Sequence, residues 1–203
     1  ISADGSVVAI GSPRNNGNGS NSGNVRIYKN INNTWTQIGS DIDGESTGGS
    51  SGWSVSLSND GSTVAVGSPY NGNGNVRIYK NVNNIWTQIG SDIVGESSGD
   101  SSGVSVSLSA DGSTVAIGAH NNDGNGSNSG HVRIYRNNNN SWTQVGSDID
   151  GESSGDQSGG SVSLSADGNV IAIGAEWNDN QNGSNSGHVR IYRNNNNSWA
   201  QVG

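Results

Sequence analysis

One unit repeats four times along the chain, and this repeat constrains the fold more than any other feature of the sequence. An Asp-Gly pair recurs about every 50 residues, at Asp4, Asp60, Asp111 and Asp167. Val-Arg-Ile-Tyr recurs as often, and it begins at Val25, Val76, Val132 and Val189. Tryptophan follows each time, at Trp35, Trp86, Trp142 and Trp199. A period of this length is typical of propeller blades or repeat arrays.

Each unit carries the pattern of four strands. In the third unit the predicted strands lie at residues 105–109, 114–119, 131–136 and 142–149. Val106 and Leu108 alternate with serines, which is the period of two that is typical of a strand. Asp111-Gly112 predicts a tight turn between the first two strands, since these residue types suit hairpin turns. Residues 137–140, all asparagine, predict the turn between the last two.

The two strand faces differ in a way that favours a propeller. Large aliphatic residues occupy one face of the first two strands, and Ser, Ala and Gly occupy the other. A sheet packed on both faces by its neighbours needs such small residues where the sheets approach closely. The sequence therefore predicts a single all-β domain, a β-propeller of four-stranded antiparallel blades at about residues 1–42, 43–93, 94–149 and 150–203. A β-solenoid is the rival, and the sparse aliphatic content also allows disorder.

The first and last units are incomplete. Ile1 takes the place of Leu57 in the first strand, and Gly203 ends the sequence inside the strand that Trp199 begins. We expect repeat strands to continue on both sides, so that the four blades form part of a larger ring or array. A closed four-bladed ring is the alternative.

Composition excludes several kinds of chemistry. Without cysteine there is no disulfide and no thiolate metal ligand. A net charge of −8 and a pI near 4.5 argue against nucleic acid as a partner. The sequence also lacks an apolar run long enough for membrane insertion. Most carboxylates fall in the connections at one end of the blades, which predicts one acidic face and one nearly neutral face.

The repeated motifs resemble the FG-GAP repeats of integrin α-subunits and of bacterial surface proteins. The resemblance rests on Ser-Val-Ser-Leu-Ser-x-Asp-Gly, Val-Ala-x-Gly, Val-Arg-Ile-Tyr and Trp-Thr-Gln. Serine replaces the Phe of the name, as at Ser51-Gly52, and Gly67-Ser68-Pro69 stands at one Gly-Ala-Pro position. The family's calcium loop between the first two strands is absent. The resemblance implies a propeller at the cell surface or outside the cell.

The acidic connections contain two candidate calcium sites. Carboxylates alternate along an extended segment in both, and hard cations prefer such oxygen ligands. The candidate ligands are Asp41, Asp43, Glu45, Asp148, Asp150 and Glu152. The simpler interpretation is a solvated acidic loop, because the second unit breaks the pattern with Val94. No other cofactor is implied.

Two tryptophans fall outside the repeat. Trp53 begins a first strand and Trp177 lies in a connection on the acidic face, so both are candidate ligand-binding residues. The recurring tryptophans are better explained by packing of the outer strand. Arg77 and its equivalents lie between apolar neighbours, where we expect them to pair with carboxylates between blades.

The sequence predicts a protein without enzymatic activity, because it shows no nucleophile–base pair and no phosphate loop. We expect an extracellular or cell-surface module for adhesion or ligand binding, with a surface glycan or protein, or copies of itself, as partner. The alternative is a structural building block of a long surface or filamentous protein.

Overall fold

The structure, a computed structural model, describes residues 1–179 and 183–203. All regular elements among these residues are β-strands, and they form four antiparallel sheets, one from each repeat. The predicted propeller architecture is therefore confirmed. The part of the chain that the structure describes contains no helix with the length and apolar character needed to cross a bilayer.

The longer strands follow one another across each sheet. The first sheet contains β1 (Val7–Ser12), β2 (Asn24–Ile31), β3 (Thr34–Gln37) and β4 (Ile42–Asp43). The second contains β5 (Ser54–Leu57), β6 (Thr63–Ser68), β7 (Asn75–Val82), β8 (Ile85–Gln88) and β9 (Ile93–Val94). The third contains β10 (Ser105–Leu108), β11 (Thr114–Ala119), β12 (His131–Asn138), β13 (Ser141–Gln144) and β14 (Ile149–Asp150). The fourth contains β15 (Ser161–Leu164), β16 (Val170–Ala175), β17 (His188–Asn195) and β18 (Ser198–Gln201). The two-residue strands β4, β9 and β14 pair with β2, β7 and β12.

The inner strands lie beside one another. Strand β10 contacts both β5 and β15, so the first strands of the last three sheets form the inner edge of the array. In the first sheet β1 is equivalent to the second strand β6, and it contacts β5. The four sheets do not close into a ring, and the alternative of a closed four-bladed ring is therefore wrong. One face of each end sheet is open to solvent, since Ile10 is 49% exposed and Val189 is 67% exposed.

Two kinds of turn join the strands. The β12–β13 turn has only two residues, Asn139 and Asn140, rather than the predicted four asparagines. Both have positive φ, 51° and 63°, which is the conformation of a type I′ hairpin turn. At Asp60-Gly61 only the glycine has positive φ. Asp60 contributes to this turn through its side chain, because its Oδ1 accepts a hydrogen bond from the Ser62 N–H at 2.9 Å.

The predicted last strand, residues 142–149, is interrupted. It forms two short strands, β13 and β14, which pair with different parts of β12. Gly146 lies between them with φ of 76°, which an extended strand cannot adopt. A Cβ at this glycine would lie 3.0 Å from the Trp199 ring of the fourth sheet. The interruption therefore makes room for the next sheet.

Apolar side chains fill the space between neighbouring sheets. Between the second and third sheets, one side supplies Ala65, Val76, Ile78 and Ile93, and the other supplies Val106, Leu108, Val115 and Ile117. The same sets recur at the other two interfaces. Small residues lie where the backbones of two neighbouring sheets come closest. A side chain at Gly67, for example, would overlap the carbonyl oxygen of Gly103. Each sheet therefore presents its large aliphatic face to the smaller face of its neighbour.

Serines of the inner strands join adjacent sheets by hydrogen bonds. Ser54 Oγ donates to the Gly103 carbonyl at 2.7 Å, and Ser56 Oγ accepts the Leu108 N–H at 3.0 Å. The next interface repeats both contacts with Ser105 and Ser107. Serine fits these places because it is small enough for the close approach and satisfies backbone groups of the next sheet.

The recurring tryptophan ties the outer strands together. Trp142 Nε1 donates to the Ile89 carbonyl of the preceding sheet at 2.9 Å. Trp86 and Trp199 make the equivalent bonds to Ile38 and Val145. The interpretation of these tryptophans as packing residues is confirmed.

We expect Trp142→Phe to lower the free energy of unfolding by about 1 kcal/mol, because the Ile89 carbonyl loses its donor. Trp35→Phe is the matched control, since Trp35 is 46% exposed and its indole N–H makes no hydrogen bond among residues 1–179 and 183–203. That control should change stability by less than about 0.5 kcal/mol. Urea denaturation monitored by circular dichroism measures both, and equal losses would contradict a role for the indole N–H.

Candidate functional site

The longer connections lie together at one end of the sheets. This loop face carries residues 13–23, 44–53, 69–74, 95–104, 120–130 and 151–160. The short turns lie at the opposite end, as the pairing of Thr63 with Lys80 and of Ser68 with Asn75 shows. The predicted division of the connections between two ends is therefore confirmed.

An arginine and an aspartate form the centre of a repeated network beside the loop face. Asp41 accepts from Asn24 Nδ2 at 2.9 Å, from Arg26 Nε at 2.8 Å and from Gln37 Nε2 at 2.7 Å. Burial raises the pKa of Asp41, but the bonds from Arg26 and Gln37 outweigh it and leave the pKa lowered. Asp92 and Asp148 occupy the same position in the next two sheets.

A glutamate from the preceding connection completes this network across each sheet interface. Arg77 contacts Glu45 at 2.7 Å and Asp92 at 3.3 Å. Arg133 likewise pairs with Glu96 and Asp148, and Arg190 pairs with Glu152. The predicted pairing of these arginines with carboxylates between blades is confirmed. Since the arginines lie beside the same face, they offset part of the acidity expected there.

The structure places the candidate calcium ligands at separate partners. Asp148 binds Arg133 of its own sheet, whereas Glu152 binds Arg190 of the next sheet. Asp41 and Glu45 are divided in the same way between Arg26 and Arg77. The remaining two, Asp43 and Asp150, are exposed at the ends of β4 and β14. A cation at either predicted site would have to compete with an arginine for two of its three ligands.

Within residues 1–179 and 183–203, one cluster does have metal-ligand spacing, and sequence reasoning missed it. Ligand atoms of Glu96, His131 and Asp148 lie within 4.8 Å of one another. They come from two sheets, so no sequence spacing could reveal them. Arg133 already supplies a cation to both carboxylates. Burial, followed by the charge of Arg133, lowers the pKa of His131, so the imidazole is neutral at pH 7.

Exposed aromatic side chains lie on the same face. Trp53 and Tyr70 form an edge-on pair with ring centroids 5.2 Å apart, and they are 43% and 50% exposed. Trp177 is 47% exposed, and its Nε1 donates to Glu176 Oε1 at 3.2 Å. We call Trp53, Tyr70 and Trp177 the aromatic group. Tyr70 was not singled out from the sequence, although it occupies the position in its repeat that Trp177 occupies in the fourth.

The aromatic group occupies places where the repeats differ. Strands β1, β6, β11 and β16 are equivalent, and each is the second strand of its repeat. The second residue after these strands is Arg14, Tyr70, Asn121 and Trp177, respectively. The residue that precedes each inner strand is Trp53, Val104 or Gly160. The two places adjoin, since the Trp53 N–H donates to the carbonyl of Gly67 in the adjacent strand. They lie at the loop-face ends of the inner strands, beside the axis of the array.

The glycines of two repeated motifs meet across every sheet interface. Gly103 follows Ser102 before an inner strand, and it lies against Gly67 at the end of the second strand of the preceding sheet. Gly159 and Gly118 are in contact in the same way. The sequence pattern of the FG-GAP repeat matches residues 95–135 and 147–192, which contain both motifs. These two segments are FG-GAP repeats.

Solved structures with the same fold differ widely from this chain in sequence. The periplasmic gluconolactonase PpgL of Pseudomonas aeruginosa matches 100% of the chain at a TM-score of 0.66 and 18% identity. Hydrazine synthase of Kuenenia stuttgartiensis matches it at a TM-score of 0.60 and 14% identity. The chain spans about half of these proteins, 55% and 47% respectively. At such identities the likeness concerns the fold alone. No curated protein sequence matches the chain.

A calcium titration tests the predicted metal sites. If Asp148, Asp150 and Glu152 bind calcium, millimolar calcium should raise the melting temperature, because a ligand of the native state stabilises it by mass action. The variant Asp150→Asn alters the candidate ligand that pairs with no arginine among the described residues. It should reduce the rise in melting temperature. An unchanged melting temperature in calcium and in chelator would contradict both predicted sites.

His131→Asn tests the buried imidazole. The pKa of His131 in the folded chain is lowered from 6.5. As the pH falls below about 6.5, the unfolded chain therefore binds a proton at this histidine before the folded chain does. The wild-type protein therefore loses stability there. Asparagine should remove this loss, because Asn75 in the same position donates to Asp92 at 2.8 Å. Urea unfolding from pH 8 to pH 5 should show an increasing advantage for the variant.

His188→Asn is the matched control in the fourth sheet, because His188 occupies the same strand position but is only partly buried. It should not reproduce the advantage at pH 5. A parallel decrease in the stability of wild type and His131→Asn would show that the imidazole is not responsible.

Proposed function

We propose that this chain is a non-enzymatic, ligand-binding repeat module of an extracellular or cell-surface protein, and that its loop face binds a glycan. The observation that carries the proposal is the position of the aromatic group. Its members are exposed, they lie at the loop-face ends of the first two strands of their sheets, and they occupy places where the repeats differ.

Packing does not explain these side chains. The residues that pack the sheets recur in every unit, as Val66 and Ile117 do on equivalent strands. At the variable places, in contrast, valine, glycine and asparagine replace the aromatic residues in other units without a change of fold. Large exposed aromatic residues that the fold does not need are typical of binding surfaces.

The polar neighbours of the aromatic group suit a sugar. A pyranose ring has an apolar C–H face that packs on an aromatic ring and hydroxyl groups that need hydrogen-bonding partners. Glu176 offers an exposed carboxylate beside Trp177. His120, the residue equivalent to Glu176 in the third repeat, has a buried Nδ1 with no hydrogen-bond partner among the described residues. Aromatic surfaces with a few convergent polar groups are the usual composition of small-ligand sites.

The state of the carboxylates supports a role without catalysis. Asp41, Asp92 and Asp148 each accept hydrogen bonds from an arginine and a glutamine of their own sheet. Carboxylates engaged in this way are not free to act as the acid or base of a hydrolysis. We expect no hydrolysis of gluconolactone, the substrate that the name of the PpgL structure specifies for that protein.

A glycan array probed with the purified chain tests the proposal, and the best-bound glycan is then titrated by tryptophan fluorescence. We expect Trp177→Asn and Trp53→Val, which copy Asn121 and Val104 of the third repeat, to weaken binding at least about tenfold. Trp35→Phe, on the outer strand of the first sheet, should bind as the wild type does. Absence of any bound glycan, or equal affinity in all three variants, would overturn the proposal.

A further inference from the structure

Several asparagines of the loop face are followed directly by glycine. In residues 1–179 and 183–203 these are Asn16, Asn18, Asn71, Asn73 and Asn125. Such a pair is chemically labile, because glycine has no Cβ to keep its backbone nitrogen away from the side-chain carbonyl carbon of the asparagine. Whether a pair reacts in the folded chain depends on what holds these two groups.

Hydrogen bonds hold the reacting groups of most of these pairs. In three of them the side-chain Nδ2 donates to a backbone carbonyl of the following loop-face connection: Asn18 to Gly44 at 2.8 Å, Asn73 to Gly95 at 3.2 Å and Asn125 to Gly151 at 2.8 Å. The backbone N–H of the glycine is also bound in four of the pairs, at Gly17, Gly19, Gly74 and Gly126. In each of these four pairs the attacking nitrogen is therefore engaged.

Asn71 and Gly72 are the exception. In the part of the chain that the structure describes, the Gly72 N–H has no acceptor and Asn71 Nδ2 makes no hydrogen bond. Apart from its chain neighbours, a Cβ at Gly72 would meet no described heavy atom within 4 Å, so the space beside it is open. The side-chain carbonyl of Asn71, in contrast, is bound, because Ser46 Oγ donates to Oδ1 at 2.7 Å. The attacking nitrogen and the leaving amide are thus both free.

We propose that Asn71 is a site of spontaneous covalent modification, at which the asparagine converts into aspartate and isoaspartate. The Gly72 nitrogen attacks Cγ of Asn71 and closes a five-membered succinimide ring, while Nδ2 takes up the glycine proton and leaves as ammonia. Water then opens the ring: attack at the side-chain carbonyl gives aspartate, and attack at the backbone carbonyl gives isoaspartate. The Ser46 hydroxyl assists the first step, because a donor to Oδ1 stabilises the negative charge that develops on this oxygen.

The modification changes the loop face next to the aromatic group. Asn71 directly follows Tyr70, which is 50% exposed. Aspartate adds a negative charge at this place, and isoaspartate adds both that charge and one methylene group to the main chain. The loop face beside Tyr70 therefore changes with the age of the protein. The proposal is independent of the proposed glycan site, because the reaction needs only the chain and water.

Peptide mapping by mass spectrometry of the purified chain, aged in buffer at physiological temperature, tests the proposal. Asn71 should convert at least about tenfold faster than Asn18 and Asn73, the internal controls, because their hydrogen bonds must open first. The rate should rise with pH, since the attacking nitrogen must lose its proton. Asn71→Gln should reduce the modified species at this position to background, because glutamine would have to close a six-membered ring. Equal conversion at all three asparagines would overturn the proposal.

The same measurement in urea separates the effect of the fold from the effect of the local sequence. Unfolding frees every Asn-Gly pair, so Asn18, Asn71 and Asn73 should then convert at similar rates. Circular dichroism confirms that the sample aged without urea remains folded. A preference for Asn71 that persists in urea would contradict the proposal, because the neighbouring residues, and not the free groups of the folded loop, would then be its cause.

Discussion

The close approach of two glycine backbones across each sheet interface sets the spacing on which the rest of the structure depends. Gly67 lies against the Gly103 carbonyl, and no side chain fits between them. At that distance serine occupies the facing positions of the inner strands, and its hydroxyl binds backbone groups of the next sheet, as Ser54 does. The larger side chains of the inner strands, such as Leu108, lie on the opposite face. The serine–aliphatic alternation in the sequence therefore follows from backbone contact.

Electrostatic interactions link the same sheets at their loop face. Arg77 and Arg133 each bind an aspartate of their own sheet and a glutamate of the preceding connection, so one cation fixes two carboxylates from different repeats. Arg77 is buried, and a buried cation without its partners would strongly destabilise the fold. The acidic composition consequently does not produce a uniformly acidic surface. Residues outside this network, including Trp53 and Trp177, are the ones left to interact with a partner.

Sequence periodicity predicted the strands well because alternation and packing have the same cause in every repeat. It failed where a neighbouring sheet determines the backbone. The break at Gly146 depends on Trp199 of the next repeat, and the short turn at Asn139-Asn140 depends on two positive φ angles. The candidate site was predicted in part. Trp53 and Trp177 stood out as exceptions to the repeat, but Glu96 and His131 meet only because two sheets pack together.

Near-identity of the repeats itself restricts where a specific function can reside. Each internal sheet packs between two sheets that are nearly identical to it. A residue at one of these interfaces therefore cannot change without a matching change in the sheet that contacts it. The second position after each second strand escapes this constraint, because it projects from the loop face beyond the packed strands. It is arginine, tyrosine, asparagine or tryptophan in the four units, at Arg14, Tyr70, Asn121 and Trp177. Four different side chains around one axis give an otherwise repetitive array an asymmetric surface, and specific recognition of a ligand requires such asymmetry.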